Sequence, residues 1–262
     1  MIQPAIRAEI EDRIRRAEEE HRVRVLLAVE SGSRAWGFES PNSDYDARFI
    51  YVHPKDWYLS VGLEEQRDVI EYSIVDDIDL NGWDLRKALR LFWKSNPAFV
   101  EWIQSPIIYK QQGNFAQLVR DLLSVVYSCE SGMYHYRSMA KKNFRGYLKS
   151  DLVPLKKYFY VLRPLLAFRW LERYQTAAPI EFEKLLHLLG DNAPLLADID
   201  ELLQLKRGAP EMGLAAPVAS IHTFIETELD RLEKVSPTKS KDQLVVPKLN
   251  DVFRSCLEAA WV

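Results

Sequence analysis

The sequence predicts an α+β protein in which a small mixed β-sheet with flanking helices is followed by an all-α helical domain. Three observations support this prediction. Short runs rich in β-branched and aromatic residues occur within the first 110 residues. From about residue 114 the apolar residues recur with helical spacing almost without interruption. The 262 residues, 47% of them hydrophobic, are enough for one large domain or two small ones.

The first part of the chain alternates between helical and extended patterns. Ile6, Ile10 and Ile14 recur every four residues among charged residues, which is typical of an amphipathic helix. A loop rich in Ser and Gly separates two apolar runs, and His53-Pro54 ends the second run because proline cannot continue a ladder. The predicted elements are, in order, a helix over 5–22, strands over 23–29 and 45–52, one or two strands over 68–80, and a helix over 82–94.

The second part is predicted to be helical, with a polar linker over 236–243. The predicted helices cover 114–129, 130–149, 153–174, 180–190, 194–206, 216–234 and 247–260. We therefore divide the chain at the change of pattern, into a domain over 1–110 and a helical domain over 111–262.

The composition restricts the class of function. A formal net charge of -3 and a pI near 6.0 disfavour tight, sequence-independent binding of nucleic acid through a large phosphate footprint, although they allow a local basic patch. Cys129 and Cys256 lie far apart without metal-ligand spacing, which is typical of free thiols in a reducing compartment. The N-terminus is too charged for a signal peptide, and no apolar run approaches the ~20 residues that span a membrane. We therefore expect a cytoplasmic protein with no membrane partner.

Three aspartates form the main candidate site. Asp44 and Asp46 are spaced i, i+2 at a predicted strand, so their side chains point to one face of the sheet. Asp79, flanked by Ile78 and Leu80, would join them if its strand is adjacent. Carboxylates gathered in this way suit Mg²⁺ or Mn²⁺ that holds substrate phosphates. The neighbouring acids Asp76, Asp77 and Asp84 are the alternatives to Asp79; Asp76 and Asp77 also suit a turn or a sheet edge, and Asp84 also suits the first turn of a helix.

A small Gly-Ser segment precedes these aspartates. Gly32 follows the first predicted strand and permits backbone angles that bring N–H groups close to an anion. Ser33 adds a hydroxyl donor, and Arg34 has the reach to contact a phosphate or an aspartate. The sequence therefore predicts a site for a nucleoside triphosphate (NTP) on divalent metal.

These motifs resemble those of the nucleotidyltransferase superfamily that includes DNA polymerase beta. The longer strings GSRAWGFESPNSDYDARFIY and NGWDLRKALRLFWKSNPAFVEWIQSP resemble more narrowly the predicted RNA-repair-associated polymerase-beta family, the YcgL-like group of bacterial and phage nucleotidyltransferases. The later strings YHYRSMAKKNFRGYL and KKYFYVLRPLLAFRWL also fit this group, so the resemblance covers roughly residues 25–190.

The resemblance implies that a nucleoside monophosphate is transferred from an NTP to an acceptor hydroxyl, with release of pyrophosphate. It implies that Asp44 and Asp46 bind both metal ions and that Asp79 binds the catalytic ion and helps to deprotonate the acceptor. It further implies that Ser33 holds the β- or γ-phosphate. In the superfamily a helical domain usually supplies further phosphate-binding cations, and the candidates here are Lys141, Lys142, Lys157 and Arg163.

Basic residues in the helical half have two interpretations. Lys156, Tyr160 and Arg163 share one helix face beside Lys157, either as an NTP-binding wall with Tyr160 stacking on the nucleotide, or as a solvated basic face. Aromatic and basic residues also interleave over 134–145, which suits a nucleotide or single-stranded RNA but is equally compatible with ordinary amphipathic packing.

Three functions remain open from the sequence. The first is nucleotidyl transfer to an RNA end, and the second is transfer to a protein side chain or a small molecule. The third is a non-catalytic nucleotide-binding regulator. Retention of all three carboxylates favours an enzyme.

Overall fold

The structure, a computed structural model, describes residues 2–209, 212–235 and 245–261 and confirms the α+β class. The chain forms two compact units. The first contains the described residues within 1–35, 44–127 and 242–262, and the second contains those within 36–43 and 128–241. The predicted linker over 236–243 lies outside the described residues.

The first unit is built on a five-stranded mixed sheet. Its strands are β1 (Arg24–Glu30), β2 (Tyr45–Val52), β3 (Val69–Glu71), β4 (Ile78–Asp84) and β5 (Ile108–Gln111), in the order β3-β4-β2-β1-β5. The β2–β4 pair is parallel, whereas the other pairs are antiparallel. β1 and β2 lie in the middle of the sheet because their apolar runs supply side chains that are buried on both faces.

Helices surround this sheet and make up most of the second unit. They are α1 (Pro4–His21), α2 (Gly32–Trp36), α3 (Lys55–Tyr58), α4 (Leu85–Trp93), α5 (Pro97–Gln104), α6 (Phe115–Asp121), α7 (Leu123–Val126), α8 (Cys129–Tyr147), α9 (Lys157–Tyr174), α10 (Ala193–Gly208), α11 (Ala219–Glu233) and α12 (Val245–Ala260). Short 3₁₀ helices cover Leu63–Glu65 and Phe182–Leu189. α1 buries Ile10, Ile14 and Ala17 in a cluster with sheet residues, as the recurrence of isoleucine every four residues predicts.

The compact units do not follow the predicted division at residue 110. α6 packs against β1 and α5, and it buries Phe115, Ala116 and Val119. α12, near the C-terminus, packs against α4, α6 and β2. Both helices therefore belong to the unit that contains the sheet, because their apolar faces are covered there. How catalytic roles divide between the two units stays a proposal.

Two predicted helices begin later than expected because strands occupy their first residues. The helix predicted over 82–94 begins at Leu85, because β4 continues to Asp84, whose carboxylate then caps the helix by accepting from the Arg86 N–H. The helix predicted over 153–174 begins at Lys157, because Val153–Pro154 (β6) pairs with Leu214–Ala215 (β7). The helical half therefore contains a two-stranded sheet beside its helices.

Candidate functional site

The parallel pairing of β2 and β4 places two of the predicted aspartates beside each other. Asp46 and Asp79 are register partners in this pair, so their side chains lie on the same face of the sheet. The two carboxylates are half-buried, with side-chain exposures of 28% and 20%. A location of Asp79 on the opposite face would have removed it from the candidate site, and the structure excludes that arrangement.

Arg48 lies between these two carboxylates. Its Nη2 donates to Oδ1 of Asp46 at 2.9 Å and to Oδ2 of Asp79 at 2.6 Å. Its Nη1 donates to the backbone carbonyl of Asp79 at 2.7 Å, and the Asn81 amide donates to Asp79 Oδ1 at 2.5 Å. The two carboxylates therefore converge on one positively charged group, and the polar side chains around them fix their orientation.

Glu30 supports Asp46 from the end of β1. Its Oε1 accepts from the backbone N–H of Asp46 at 3.0 Å, and its Oε2 accepts from the Tyr109 hydroxyl. The Glu30 side chain is fully buried, and this burial raises its pKa to about 7, although the hydrogen bond from Tyr109 opposes the shift. The Ser31 N–H also donates to the backbone carbonyl of Asp46 at 2.9 Å. The start of β2 is thus held in place by the end of β1.

Gly32 lies directly against Asp46. Its φ is +59°, and a Cβ at this position would lie 1.9 Å from Oδ2 of Asp46. Only glycine combines this backbone angle with such a close approach. The buried Ser33 follows in α2, and the Arg34 guanidinium lies over the Tyr45 ring at 3.9 Å, with its Nε donating to the carbonyl of Asp44 at 3.2 Å.

Asp44 is placed differently from the other two aspartates. It precedes β2 and is exposed, whereas Asp46 is half-buried. Burial raises the pKa of Asp46, as do the negative charges of Asp79 and Asp44, while the positive charge of Arg48 lowers it. Within residues 2–209, 212–235 and 245–261, no three His, Cys, Asp or Glu side chains are arranged to hold a metal ion. The structure therefore brings together two of the three predicted ligands.

The chemistry of this pair fits a divalent cation. Mg²⁺ and Mn²⁺ prefer carboxylate oxygens and are commonly held by one or two protein carboxylates together with substrate phosphates. Asp46 and Asp79 supply two such groups, and the position they share already attracts a cation in the form of Arg48. A metal ion bound by both would have to displace this guanidinium or share the carboxylates with it.

The other predicted NTP-binding residues lie in the second unit. The Lys157 ammonium lies between two aromatic rings, 4.2 Å from the Tyr147 centroid and 4.7 Å from that of Tyr160. The Arg163 guanidinium lies over the Trp36 ring at 4.2 Å, and the residue is only 4% exposed. Burial of this kind is typical of a structural support, so the predicted contact of Arg163 with an NTP would require the aromatic cluster to open.

Lys142 lies apart from this aromatic group. It is exposed on α8, where Ser138, Lys141, Arg145 and Gly146 line the same open pocket.

Two residues of the site were missed from the sequence. Arg48 continues the i, i+2 series of Asp44 and Asp46 on one strand face, and this spacing could have identified it. Glu30 is a single acid at the end of an apolar strand, which is an uncommon position for a buried charge.

The mixed sheet and the paired carboxylates are the features expected of the polymerase-beta type of protein, and comparisons with known proteins identify the family. Residues 6–255 match the family model RlaP, described as the RNA repair pathway DNA polymerase beta family. The chain is 44% identical over 251 residues to "Uncharacterized protein YcgL" of Bacillus subtilis (strain 168), spanning 95% of this chain and 96% of the relative. The chain therefore belongs to the RNA repair pathway DNA polymerase beta family, which confirms the predicted resemblance.

A solved structure was also matched. It is a nucleotidyltransferase-like protein from Exiguobacterium sibiricum 255-15, with 14% identity, a TM-score of 0.31, and coverage of 95% of this chain and 80% of the other. Separately, among the described residues, no helix is both long and apolar enough to cross a membrane.

Proposed function

We propose that this protein transfers a nucleoside monophosphate from an NTP to an acceptor hydroxyl, releases pyrophosphate, and uses an RNA end as its acceptor. One observation carries the proposal: Asp46 and Asp79 converge on a single cationic position from neighbouring parallel strands, beside the close backbone approach of Gly32. The description of the family as belonging to an RNA repair pathway supports RNA as the acceptor.

The carboxylates have distinct roles in this proposal. Asp46 and Asp79 would hold Mg²⁺ or Mn²⁺, and Asp44, which precedes β2, would be the third ligand. When bound, the metal would neutralise charge on the phosphate oxygens and lower the pKa of the acceptor hydroxyl. Asp79 accepts the proton of the acceptor hydroxyl while the hydroxyl oxygen forms a bond to the α-phosphorus. The bond from the α-phosphorus to the pyrophosphate oxygen then breaks, and pyrophosphate leaves.

Other residues bind and orient the substrate. Gly32 allows the backbone to approach a phosphate, and Ser33 donates its hydroxyl to a β- or γ-phosphate oxygen. Glu30 and Tyr109 keep Asp46 in position through the hydrogen bonds at the end of β1. In the second unit, we propose that Lys157 provides positive charge for the triphosphate and that Tyr160 stacks on the nucleotide. The two free thiols, Cys129 and Cys256, are consistent with the proposed cytoplasmic location.

The proposal is tested by incubating the full-length protein with each α-labelled NTP, Mg²⁺ or Mn²⁺, RNA oligonucleotides and cell extract. We expect label on RNA and none when the metal is removed by a chelator. Asp46→Asn and Asp79→Asn should each lower the rate at least about 100-fold, since even residues that only support metal ligands contribute up to that much. The matched control Asp251→Asn removes an exposed carboxylate of α12 and should keep wild-type activity.

The molecule that carries the label identifies the acceptor. Label on RNA supports the proposal, whereas label on protein or on a small molecule assigns the transfer to another acceptor. Binding of Mg-NTP without any transfer would overturn the proposed catalysis and favour a regulator. For the second unit, Lys157→Ala should weaken NTP binding, and unchanged NTP affinity would remove this lysine from the binding residues.

A further inference from the structure

The stretch from Ser131 to Leu171 is the basic part of an otherwise acidic chain. It contains nine Lys or Arg residues and one acidic residue, Asp151, although the whole chain has a net charge of -3. Such a segregation of charge along the sequence is typical of a surface that meets a polyanion. Most of these cations lie on α8 or directly after it.

The orientation of α8 separates its buried side from its basic side. Met133, Tyr136, Ala140 and Phe144 are buried, and the 3.6-residue period places the opposite side in solvent. We call that side the α8 outer face. Its residues are Tyr134, Ser138, Lys142 and Arg145, followed just beyond the helix by Lys149, and all five are exposed. The α8 outer face therefore presents three cations and no carboxylate of its own.

The carboxylates nearest to this face come from α11 and lie along one flank. Glu233 pairs with Lys141, and Glu226 pairs with Lys149 at 3.2 Å. Within the described part of the chain, no carboxylate lies within 4.0 Å of Lys142 or Arg145. Neither cation is therefore held in a close ion pair, although Arg145 lines a neighbouring pocket with Glu226 and Glu233 and, after Lys141, contributes to lowering the pKa of Glu233.

The shape of the surface and its aromatic residue also suit a polynucleotide. Ser138, Lys142, Arg145 and Gly146 help to line an open pocket of about 470 Å³, in which the absence of a side chain at Gly146 leaves a depression. The Tyr134 ring is 43% exposed, and aromatic rings in basic surroundings stack on unpaired bases.

The arrangement of the cations favours a linear polyanion over a single phosphate. Lys142 and Arg145 follow one face of α8 at successive turns, separated by about 5 Å of rise along the axis. Lys149, beyond the end of the helix, adds a third cation, which Glu226 already pairs. A polymer with regularly spaced charges can contact all three cations, whereas one phosphate group cannot.

We propose that the α8 outer face binds the phosphodiester backbone of single-stranded RNA. This inference rests on the RNA acceptor of the proposed function, and it assigns Lys142 to the RNA backbone rather than to the NTP. The cations contact successive phosphates, and Tyr134 stacks on a base. Because the contacts are to the backbone, binding is independent of sequence and depends strongly on salt.

The test measures RNA binding separately from transfer. Fluorescence anisotropy with a labelled single-stranded RNA of about 20 nucleotides is recorded for the full-length protein without NTP. The salt concentration is varied from roughly 50 to 200 mM, the range over which phosphate contacts weaken. The variant Lys142→Ala/Arg145→Ala is compared with Lys55→Ala/Lys94→Ala, which removes two other exposed cations. We expect the α8 variant to lose about tenfold in affinity and its salt slope to fall by about 1.4, while the control stays close to wild type.

The other outcomes are equally decisive. Equal RNA affinity in the α8 variant and the control would overturn the proposal. So would a loss of Mg-NTP binding in the α8 variant with RNA affinity retained, since Lys142 would then serve the NTP. Competition by polyglutamate as effective as that by unlabelled RNA would assign the surface to an acidic protein instead.

The proposal and the transferase activity fail independently. RNA binding that depends on α8 without any nucleotidyl transfer would support the surface and contradict the proposed catalysis. Transfer of label to RNA by a protein whose RNA affinity does not depend on α8 would support the proposed catalysis and contradict the proposed RNA-binding surface. Matching thermal melts of both double variants establish that differences in affinity do not come from unfolding.

Discussion

Asp46 and Asp79 are register partners on neighbouring parallel strands, and one nitrogen of Arg48 contacts a carboxylate oxygen of each. Two carboxylates in this arrangement repel each other unless a cation lies between them. Arg48 supplies that cation in the structure, so it stabilises the acid pair at the position proposed for a metal ion. The stability of the protein and its response to metal are therefore linked through this arginine.

We expect Arg48→Ala to destabilise the metal-free protein by about 2 kcal/mol, because it leaves two half-buried carboxylates without a partner. Added Mg²⁺ should recover part of this loss, so the rise in melting temperature with metal should be larger in the variant than in the wild type. Thermal melts with and without Mg²⁺ measure both effects. Arg67→Ala, which breaks an exposed pair with Glu71, should cost less than about 0.5 kcal/mol. An equal metal response in Arg48→Ala and wild type would contradict this link.

Gly32→Ala should perturb the site strongly, because the added Cβ would meet Asp46 Oδ2 and the residue would keep a positive φ. We expect a loss of about 3 kcal/mol in stability together with a loss of transfer activity. Gly37 also has a positive φ of +83°, but a Cβ there would meet nothing within 4 Å. Gly37→Ala should therefore cost only the backbone strain, about 1 kcal/mol. Chemical denaturation of the two variants measures the difference, and equal losses would show that the close approach to Asp46 is unimportant.

Tyr51→Phe should leave stability unchanged or raise it by about 1 kcal/mol. The Tyr51 hydroxyl is buried and has no hydrogen-bond partner among the described residues, so its removal takes away an unsatisfied polar group. Tyr58 provides the matched comparison, since its hydroxyl donates to Asp84 at 2.5 Å and accepts from the His53 N–H at 3.1 Å. Tyr58→Phe should lower stability by about 1–2 kcal/mol. Denaturation midpoints that rank the two variants in the opposite order would contradict this interpretation.

Asp84 should make stability depend on pH. Burial raises the pKa of Asp84 to about 6, although hydrogen bonds from Tyr58 and the helix backbone oppose the shift. The folded state then binds more protons than the unfolded state between about pH 4 and pH 6, so stability falls as the pH rises through this interval. Asp84→Asn keeps an oxygen that can cap α4 and removes the titration. The stability of the wild type relative to Asp84→Asn should thus fall by up to about 3 kcal/mol from pH 4 to pH 7. If the stabilities of the two proteins change with pH in the same way, Asp84 is not the cause of the pH dependence.

Much of the sheet could be predicted because local patterns determine it. The strand over 45–52 agrees with β2, since its apolar run is bounded by polar residues before it and by His53-Pro54 after it. The predicted start of α4 lies too early in the chain because Trp83 and Leu85 fit both strand and helix spacing. The strand extends to Asp84 because β4 pairs with β2, a contact distant in sequence, and also with β3.

The candidate site was predicted in part for a similar reason. The spacing of Asp44 and Asp46 gives their shared strand face, but the partner of Asp46 is Asp79, and the register of a parallel pair cannot be read from either strand alone. Arg48 lies on the predicted face, yet its bridging role depends on that same register. Asp76 and Asp77, which were alternatives to Asp79, both have positive φ, near +54° and +59°, and form the turn that leads into β4.

The discontinuous make-up of the second unit limits how that unit can be isolated. Phe38, from the short segment over 36–43, is fully buried and its ring stacks on Phe159 at 5.0 Å and meets Phe182 edge-on at 5.6 Å. Arg207 also donates to the carbonyl of Gly37 at 2.6 Å. An excised fragment that started at Ser128 would lack Phe38. The buried rings of Phe159 and Phe182 would then be exposed to water, which favours aggregation. Truncation or domain exchange at Ser128 would therefore yield an incomplete second unit. The functions of its residues are better tested by point substitutions in the intact chain.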